Sequence, residues 1–156
     1  IDYFDIQKKI VSFNNQSTKF DIIINTISPD ILFDECYGKL KYVGKEFHPI
    51  VLPIENCLPE NIMFLYYAND EKFTRIVEFK KWTMHDSKTT LLGLEIPTLN
   101  GNAYPFPTIS EYNKAKKYLD EMPEGVFSIG RSGTFDYRTD MDDCILQAME
   151  VIKCIN

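Results

Sequence analysis

The chain has 156 residues, enough for one domain with a real core or for part of a larger one. Its hydrophobic fraction of 44% is that of an ordinary globular protein, and no apolar run approaches the roughly 18 residues of a membrane-spanning helix. A formal net charge of −6 argues against nucleic acid and anionic membranes as partners, since both need basic surface, but leaves room for a cationic pocket around one small anion.

The first ten residues, IDYFDIQKKI, do not read as a signal peptide. Tyr3 to Ile6 and Ile10 to Phe13 are β-rich and joined by Gln7-Lys8-Lys9, which predicts a hairpin. Asp21 to Asn25 reads as a short buried strand. Ser28-Pro29-Asp30 has the marks of a helix start, a capping Ser with Pro and an acid behind it, and that helix should end near Gly38.

The middle reads as antiparallel sheet. Strands are predicted over Asn61 to Ala68, Phe73 to Trp82 and Thr89 to Ile96, with turns at Asn69-Asp70 and His85-Asp86-Ser87. In the second of these, Ile76 alternates with Arg75 and Val77 with Glu78, as in a half-buried strand. Leu99 to Pro107 is a loop, and Ser110 to Met122 a helix capped by Ser110. The chain then runs through a strand (Val126 to Ile129), a turn with two glycines, and a helix from Met141 to Cys154. The apolar stripe of that helix is Ile145, Ala148, Met149 and Ile152. Cys36, Cys57, Cys144 and Cys154 form no C-x-x-C pair, and two histidines are too few to complete a zinc site. Free, mostly buried thiols in a reducing compartment, the cytoplasm, are expected, and no metal.

Three features could carry function. The turn before the last helix brings Gly130 and the cation Arg131 to a helix N-terminus, where unpaired amides favour an anion; equally, Thr139 or Asp140 simply caps that helix. Arg75 is either a ligand contact or a solvated strand residue paired with Glu78 or with nothing. Pro105 holds Tyr104 extended, aimed into a cleft or plugging a loop. No G-x-G-x-x-G, Walker loop or nucleophile elbow is present.

These features recur, in this order, in one family. The chain resembles the C-terminal part of UDP-galactopyranose mutase. ISPDILFDECYGKLKYVGKEF is similar to that family's G-P-I-D-x-x-F-D-x-x-x-G-x-L-x-Y-R-S-L-x-F, and FTRIVEFKKW to Y-T-R-I-x-E-x-K-x-F. AYPFP and GRSGTFDYRTDMDDCI match Y-Y-P-V/I and G-R-L-G-x-Y-x-Y-x-D-M-D-x-x-I. The stretches run from Ser28 to the end of the chain. Leu65 stands where the family has an Asn, and Arg138-Thr139-Asp140 is one residue longer than usual.

The resemblance implies an α+β fold: an antiparallel substrate-binding sheet plus the last strand and helix of an FAD-binding Rossmann-like unit. Residues 1–125 would be mostly sheet and short helices, and 126–156 the flavin-facing strand, turn and helix, together one C-terminal unit. It implies an isomerase that uses reduced FAD to interconvert pyranose and furanose forms of a UDP-sugar through a covalent flavin–sugar adduct. Arg75, Tyr104 and Tyr137 match diphosphate contacts, Gly130 and Arg131 flavin contacts, and Asp140 and Met141 the start of the helix beneath the flavin. The phosphate-binding loop for FAD, and a helical domain, would lie in sequence not present here. A flavin-dependent oxidoreductase part and a non-catalytic fragment that packs against a partner are the alternatives. A homo-oligomer is left open.

Overall fold

The computed structural model describes residues 1–155. It opens with an antiparallel meander of β1 (Tyr3–Asp5), β2 (Ile10–Phe13) and β3 (Gln16–Lys19). The predicted hairpin is present. The third strand escapes sequence reading because its four residues are all polar and exposed. Its signal is the pair Asn14-Asn15: both have positive φ (48° and 60°), the backbone of a two-residue hairpin turn. Next come β4 (Ile23–Asn25), α1 (Pro29–Leu32), β5 (Tyr42–Leu52), β6 (Phe64–Tyr66), β7 (Arg75–Glu78) and α2 (Lys80–Thr83). The chain continues through β8 (Thr90–Thr98), β9 (Tyr104–Pro105), α3 (Ile109–Asp120), β10 (Val126–Ser128), α4 (Gly130–Gly133) and α5 (Met141–Ile155). Among the described residues no helix is long and apolar enough to cross a membrane.

These elements form two compact units: Ile1–Tyr42 with the chain from Tyr104 onward, and Val43–Ala103 between them. In the first unit β4 and β10 pair in parallel, Ile23 opposite Val126 and Asn25 opposite Ser128. Ile24, expected inside, is half exposed, in a pair that among the described residues has only two strands. The core is Leu40, Ala115, Tyr118 and Phe135, flanked by Phe33, Tyr42 and Tyr112. Buried polar groups within it are satisfied: the Tyr118 hydroxyl donates to the Gly38 carbonyl (2.9 Å) and accepts from the Tyr37 amide (2.8 Å).

Helix starts differ from expectation in detail. Ser28 precedes α1 as predicted, but its hydroxyl donates to the buried Asp30 carboxylate, which also accepts the Leu40 amide at 2.8 Å. The cap of α3 is Thr108, not Ser110: the Thr108 hydroxyl accepts from the Glu111 amide. The T-x-x-E spacing of a capping box was there to be read. In α5 the helical period is right but the buried face is rotated. Cys144, Gln147, Ala148 and Val151 turn inward, while Ile145, Met149 and Ile152 are 61%, 51% and 57% exposed. The four thiols are free as expected but not buried: Cys36, Cys57 and Cys154 are exposed, in a turn, a loop and the end of α5, and Cys144 is partly so.

The second unit is an antiparallel sheet in which β6, β7, β8 and β5 lie side by side. Strand β5, the longest at 11 residues, carries no predictive pattern: most of its side chains are exposed and Pro49 interrupts it. It runs antiparallel to β8 from Gly44 opposite Thr98 to Leu52 opposite Thr90. Gly93 is small for a reason: a Cβ there would stand 2.2 Å from the Phe47 ring and 2.5 Å from that of Phe79, which meet edge to face above it.

The predicted strand from Phe73 to Trp82 ends at Glu78, and Lys80–Thr83 turns into α2. The cause is Glu78, expected on the wet face but fully buried. Its carboxylate accepts from the Cys57 and Leu58 amides (2.8 and 2.9 Å), the Thr90 hydroxyl (2.7 Å) and the Lys81 amine (3.2 Å). Lys81 in turn reaches the Leu58 and Ile62 carbonyls at 2.6 and 3.1 Å. Strand, helix and the 57–62 loop are therefore tied to one carboxylate.

Burial pushes the Glu78 carboxyl up, but the Thr90 hydroxyl, the two amides and Lys81 outweigh it and hold it at about 2, against 4.5 for a free glutamate. A carboxyl whose folded pKa is depressed lends stability at pH above about 4.5 and loses it as the pH falls toward 2. Glu78→Gln should therefore cost about 3 kcal/mol at neutral pH and unfold with a flatter pH dependence between those two values. Urea titrations of both proteins from pH 7 down to pH 3 check this (about 3 kcal/mol is the gap expected at the upper end). Thr108→Ala should cost about 1 kcal/mol and Ser110→Ala much less, read from thermal unfolding.

Candidate functional site

In the first unit the turn after β10 is sewn to β4. The Asn25 carboxamide donates to the Ser128 hydroxyl (2.7 Å), which donates to the Gly133 carbonyl (2.7 Å), and the Ile129 amide donates to the Asn25 carbonyl (2.9 Å). A Cβ on Gly133 would stand 3.0 Å from that Asn25 carbonyl oxygen, so glycine permits the close approach. Gly130 is glycine for conformation, with φ +76°. The turn with two glycines is the single-turn helix α4.

Six of the seven predicted site residues gather here. The Arg131 Nε donates to the Thr139 carbonyl (2.9 Å) and its Nη2 to the Asp140 carboxylate (2.8 Å). Its guanidinium lies over the Tyr104 ring, 5.2 Å from the centroid, and the Tyr104 and Tyr137 rings are 5.6 Å apart at 50°. Arg131 is thus the hub, with an aromatic pair on one side and the start of α5 on the other. Gly130 precedes it, and Met141 opens α5 with its side chain in solvent.

Two expectations about this turn change. Thr139 and Asp140 were the alternative caps of the last helix. The Asp140 carboxylate instead takes Arg131, while the Asp140 amide donates to the Asp143 carboxylate (2.9 Å) and its carbonyl accepts from the Cys144 amide (3.1 Å). Asp143 therefore caps from inside the first turn. The Gly130 amide, expected to face a ligand, donates to Gln147 Oε1 at 2.7 Å. Gln147 was missed because on the sequence it is one polar residue on an amphipathic helix.

In the second unit Arg75 is not the solvated residue of the bland alternative, nor is its partner Glu78. It lies directly between Tyr66 and Glu95 in the sheet register, all on one face. Its Nη2 donates to Glu95 Oε1 at 2.6 Å and its Nη1 to the Tyr66 hydroxyl at 3.3 Å. The guanidinium stands 5.8 Å from the Phe64 ring centroid and 5.7 Å from that of Tyr66. Lys45 Nζ holds the other carboxylate oxygen of Glu95 at 2.8 Å. The Glu95 hydrogen bond raises Arg75 above its ordinary range. Burial pushes Glu95 up, but its bonds to Arg75 and Lys45 outweigh that and lower it. Glu95, Lys45 and Tyr66 were missed, though an acid inside the apolar run TTLLGLEI is itself a signal.

Architecture and site together define a mixed α/β protein in which each unit carries an arginine partnered by a carboxylate and set against aromatic rings. The chain belongs to the UDP-galactopyranose mutase family, whose model matches residues 1–137. That match takes in every predicted site residue except Asp140 and Met141. Among solved structures the chain resembles a crystal structure of reduced UDP-galactopyranose mutase, with a TM-score of 0.73 and 19% identity over 97% of this chain. The chain spans 45% of the length of that structure. Comparison with curated proteins gives no match.

Arg131→Ala removes the bonds to Thr139 and Asp140 together. It should destabilise the protein by about 1 kcal/mol, since Asp140 is well exposed and the bond to the Thr139 carbonyl carries most of the effect. Amide hydrogen exchange should quicken at residues 139–144 and stay unchanged in the sheet of the second unit. Uniform change across both units would mean that Arg131 is not the local hub.

Proposed function

We propose that this chain is the C-terminal part of a mutase-like flavoenzyme that interconverts the pyranose and furanose forms of a UDP-sugar. The observation that carries the reading is Arg75: a guanidinium in a family-matching motif, fixed on a strand by Glu95 and Tyr66 and still partly open to solvent. Such a group binds a diphosphate through two parallel N–H bonds and stabilises the charge that grows on it as the bond to the sugar breaks. By the motif match, Tyr104 and Tyr137, whose rings lie 5.6 Å apart in the first unit, are phenols suited to accept a diphosphate there.

The Rossmann-like part is supported by what the first unit leaves open. Two parallel strands of three residues do not make a stable sheet alone, and parallel sheets are normally covered on both faces. The half-exposed Ile24 and the exposed face of α5 fit a unit completed by further strands, with residues 126–156 as its flavin-facing end. FAD fits the turn in part. A left-handed Gly130, whose added Cβ would meet only the Cys144 sulfur at 3.9 Å, lets a flat ligand approach, and Arg131 offers a permanent cation. The Gly130 amide becomes available only when Gln147 turns aside. When bound, reduced flavin supplies the nucleophile that displaces UDP from the sugar. The residues of this chain bind and orient: in the second unit Arg75 binds a diphosphate, and in the first Tyr104 and Tyr137 offer phenols while Arg131 holds the start of α5 in place.

Arg75→Ala in the complete protein should weaken UDP binding about 10- to 150-fold, the equivalent of roughly 1.5–3 kcal/mol for a lost charged hydrogen-bond pair. Lysine at that position should restore only part, having charge without the planar fork. The melting temperature should fall, because Glu95 loses one of its two cations, so the affinities are compared at a temperature where both proteins are folded. Wild-type UDP affinity in the alanine variant, by calorimetric titration, would remove the main support for the assignment.

A further inference from the structure

We propose that Lys45 sets the charge of the Arg75 anion site by acting through Glu95. The inference rests on the diphosphate reading of Arg75 and adds to it a positioning residue that no motif marks. Glu95 faces Arg75 directly across β7 and β8 and is largely buried. One guanidinium and one carboxylate cancel, and a neutral pair offers a diphosphate no net attraction. Lys45 changes that sum. Its ammonium takes Glu95 Oε2 at 2.8 Å while Arg75 takes Oε1 at 2.6 Å, so each carboxylate oxygen serves one cation and the cluster keeps a single positive charge.

Three further observations support this role. Lys45 and Phe47 are two apart on β5, so both lie on the face that carries Arg75 and Glu95; Phe47 pairs opposite Glu95 itself. The Lys45 and Arg75 side chains remain 31% and 26% exposed, so an anion can reach both cations. Finally, the motif Y-R-S-L reads Tyr42-Val43-Gly44-Lys45 here: the cation at the second position has become Val, and a cation has appeared two residues later, on the same side of the strand. The guanidinium itself is held in place. Its Nη1 is on Tyr66, its plane is against Phe64 and Tyr66, and its Nε–H is buried without a hydrogen-bond partner among the described residues, so Glu95 is its main anchor.

The test is calorimetric titration of UDP into the complete protein and four variants at one ionic strength, with thermal unfolding to verify the fold. Lys45→Met should weaken binding about tenfold, the effect of one partly screened charge near a dianion. Lys45→Arg should bind like wild type. Combining Lys45→Met with Glu95→Gln should bring affinity back to within about threefold of wild type, because the cluster again carries one positive charge and the glutamine oxygen can still accept from Arg75. Wild-type binding by Lys45→Met, or a double variant no better than Lys45→Met alone, overturns the inference. The fourth variant, Arg75→Ala, separates it from the underlying reading. Loss of binding there with normal binding in Lys45→Met leaves the Arg75 assignment standing and removes Lys45. Wild-type binding by Arg75→Ala, or no UDP binding by the unaltered protein, removes both.

Discussion

The parallel pairing of β4 with β10 is the constraint on which the rest of the molecule depends. It joins residues 23–25 to residues 126–128 and so makes one unit of the two ends of the chain, with the sheet unit as an excursion between them. Closing so long a loop is entropically costly, and three residue pairs of ladder are little to set against it. The Asn25–Ser128–Gly133 bonds and the Leu40–Tyr118–Phe135 core reinforce the closure. The same closure delivers the glycine turn: β10 ends at Ser128, Gly130 takes positive φ, and Arg131 is brought to both Tyr104 and the start of α5.

Electrostatics sorts the carboxylates of this acidic chain. Its buried carboxylates are committed to structure. Asp30 takes the Leu40 amide, Glu111 the Lys41 amide and Lys114, and Glu78 two amides, a hydroxyl and Lys81. Each is worth having only because its lone pairs are filled, since removing one donor would leave a buried charge uncompensated. Glu95 is different in kind. Its partners are two cationic side chains rather than backbone, and those cations remain open to solvent. Structural acids and the candidate binding acid can thus be told apart by what they hold.

The exposed apolar surface tells a consistent story. Ile24 on β4 and Ile145, Met149 and Ile152 on α5 are side chains a lone globular domain would bury. The chain matches less than half of the mutase structure it resembles, and the uncovered elements belong to the unit whose parallel strands most need neighbours.

Local pattern alone located the first hairpin, strand β8, helix α3 and helix α5, because an apolar period of 2 or 3.6 reports the conformation of a segment whatever surrounds it. Short motifs likewise singled out Arg75, Tyr104 and Arg131, since residue type and order are read directly from the sequence. Periodicity could not say which face of α5 would be covered, because that depends on neighbours far away in the chain. It could not find β5, whose exposed residues and Pro49 carry no alternation, nor foresee that Glu78 would be buried, since a glutamate is buried only where distant groups, here Cys57, Leu58 and Thr90, fill its lone pairs. Chemistry and local conformation were determined by the sequence by itself. Partnership was decided only by the tertiary structure: Lys45 with Glu95, Gln147 with Gly130 and Arg131 with Tyr104 are contacts between residues that nothing in the one-dimensional pattern connects.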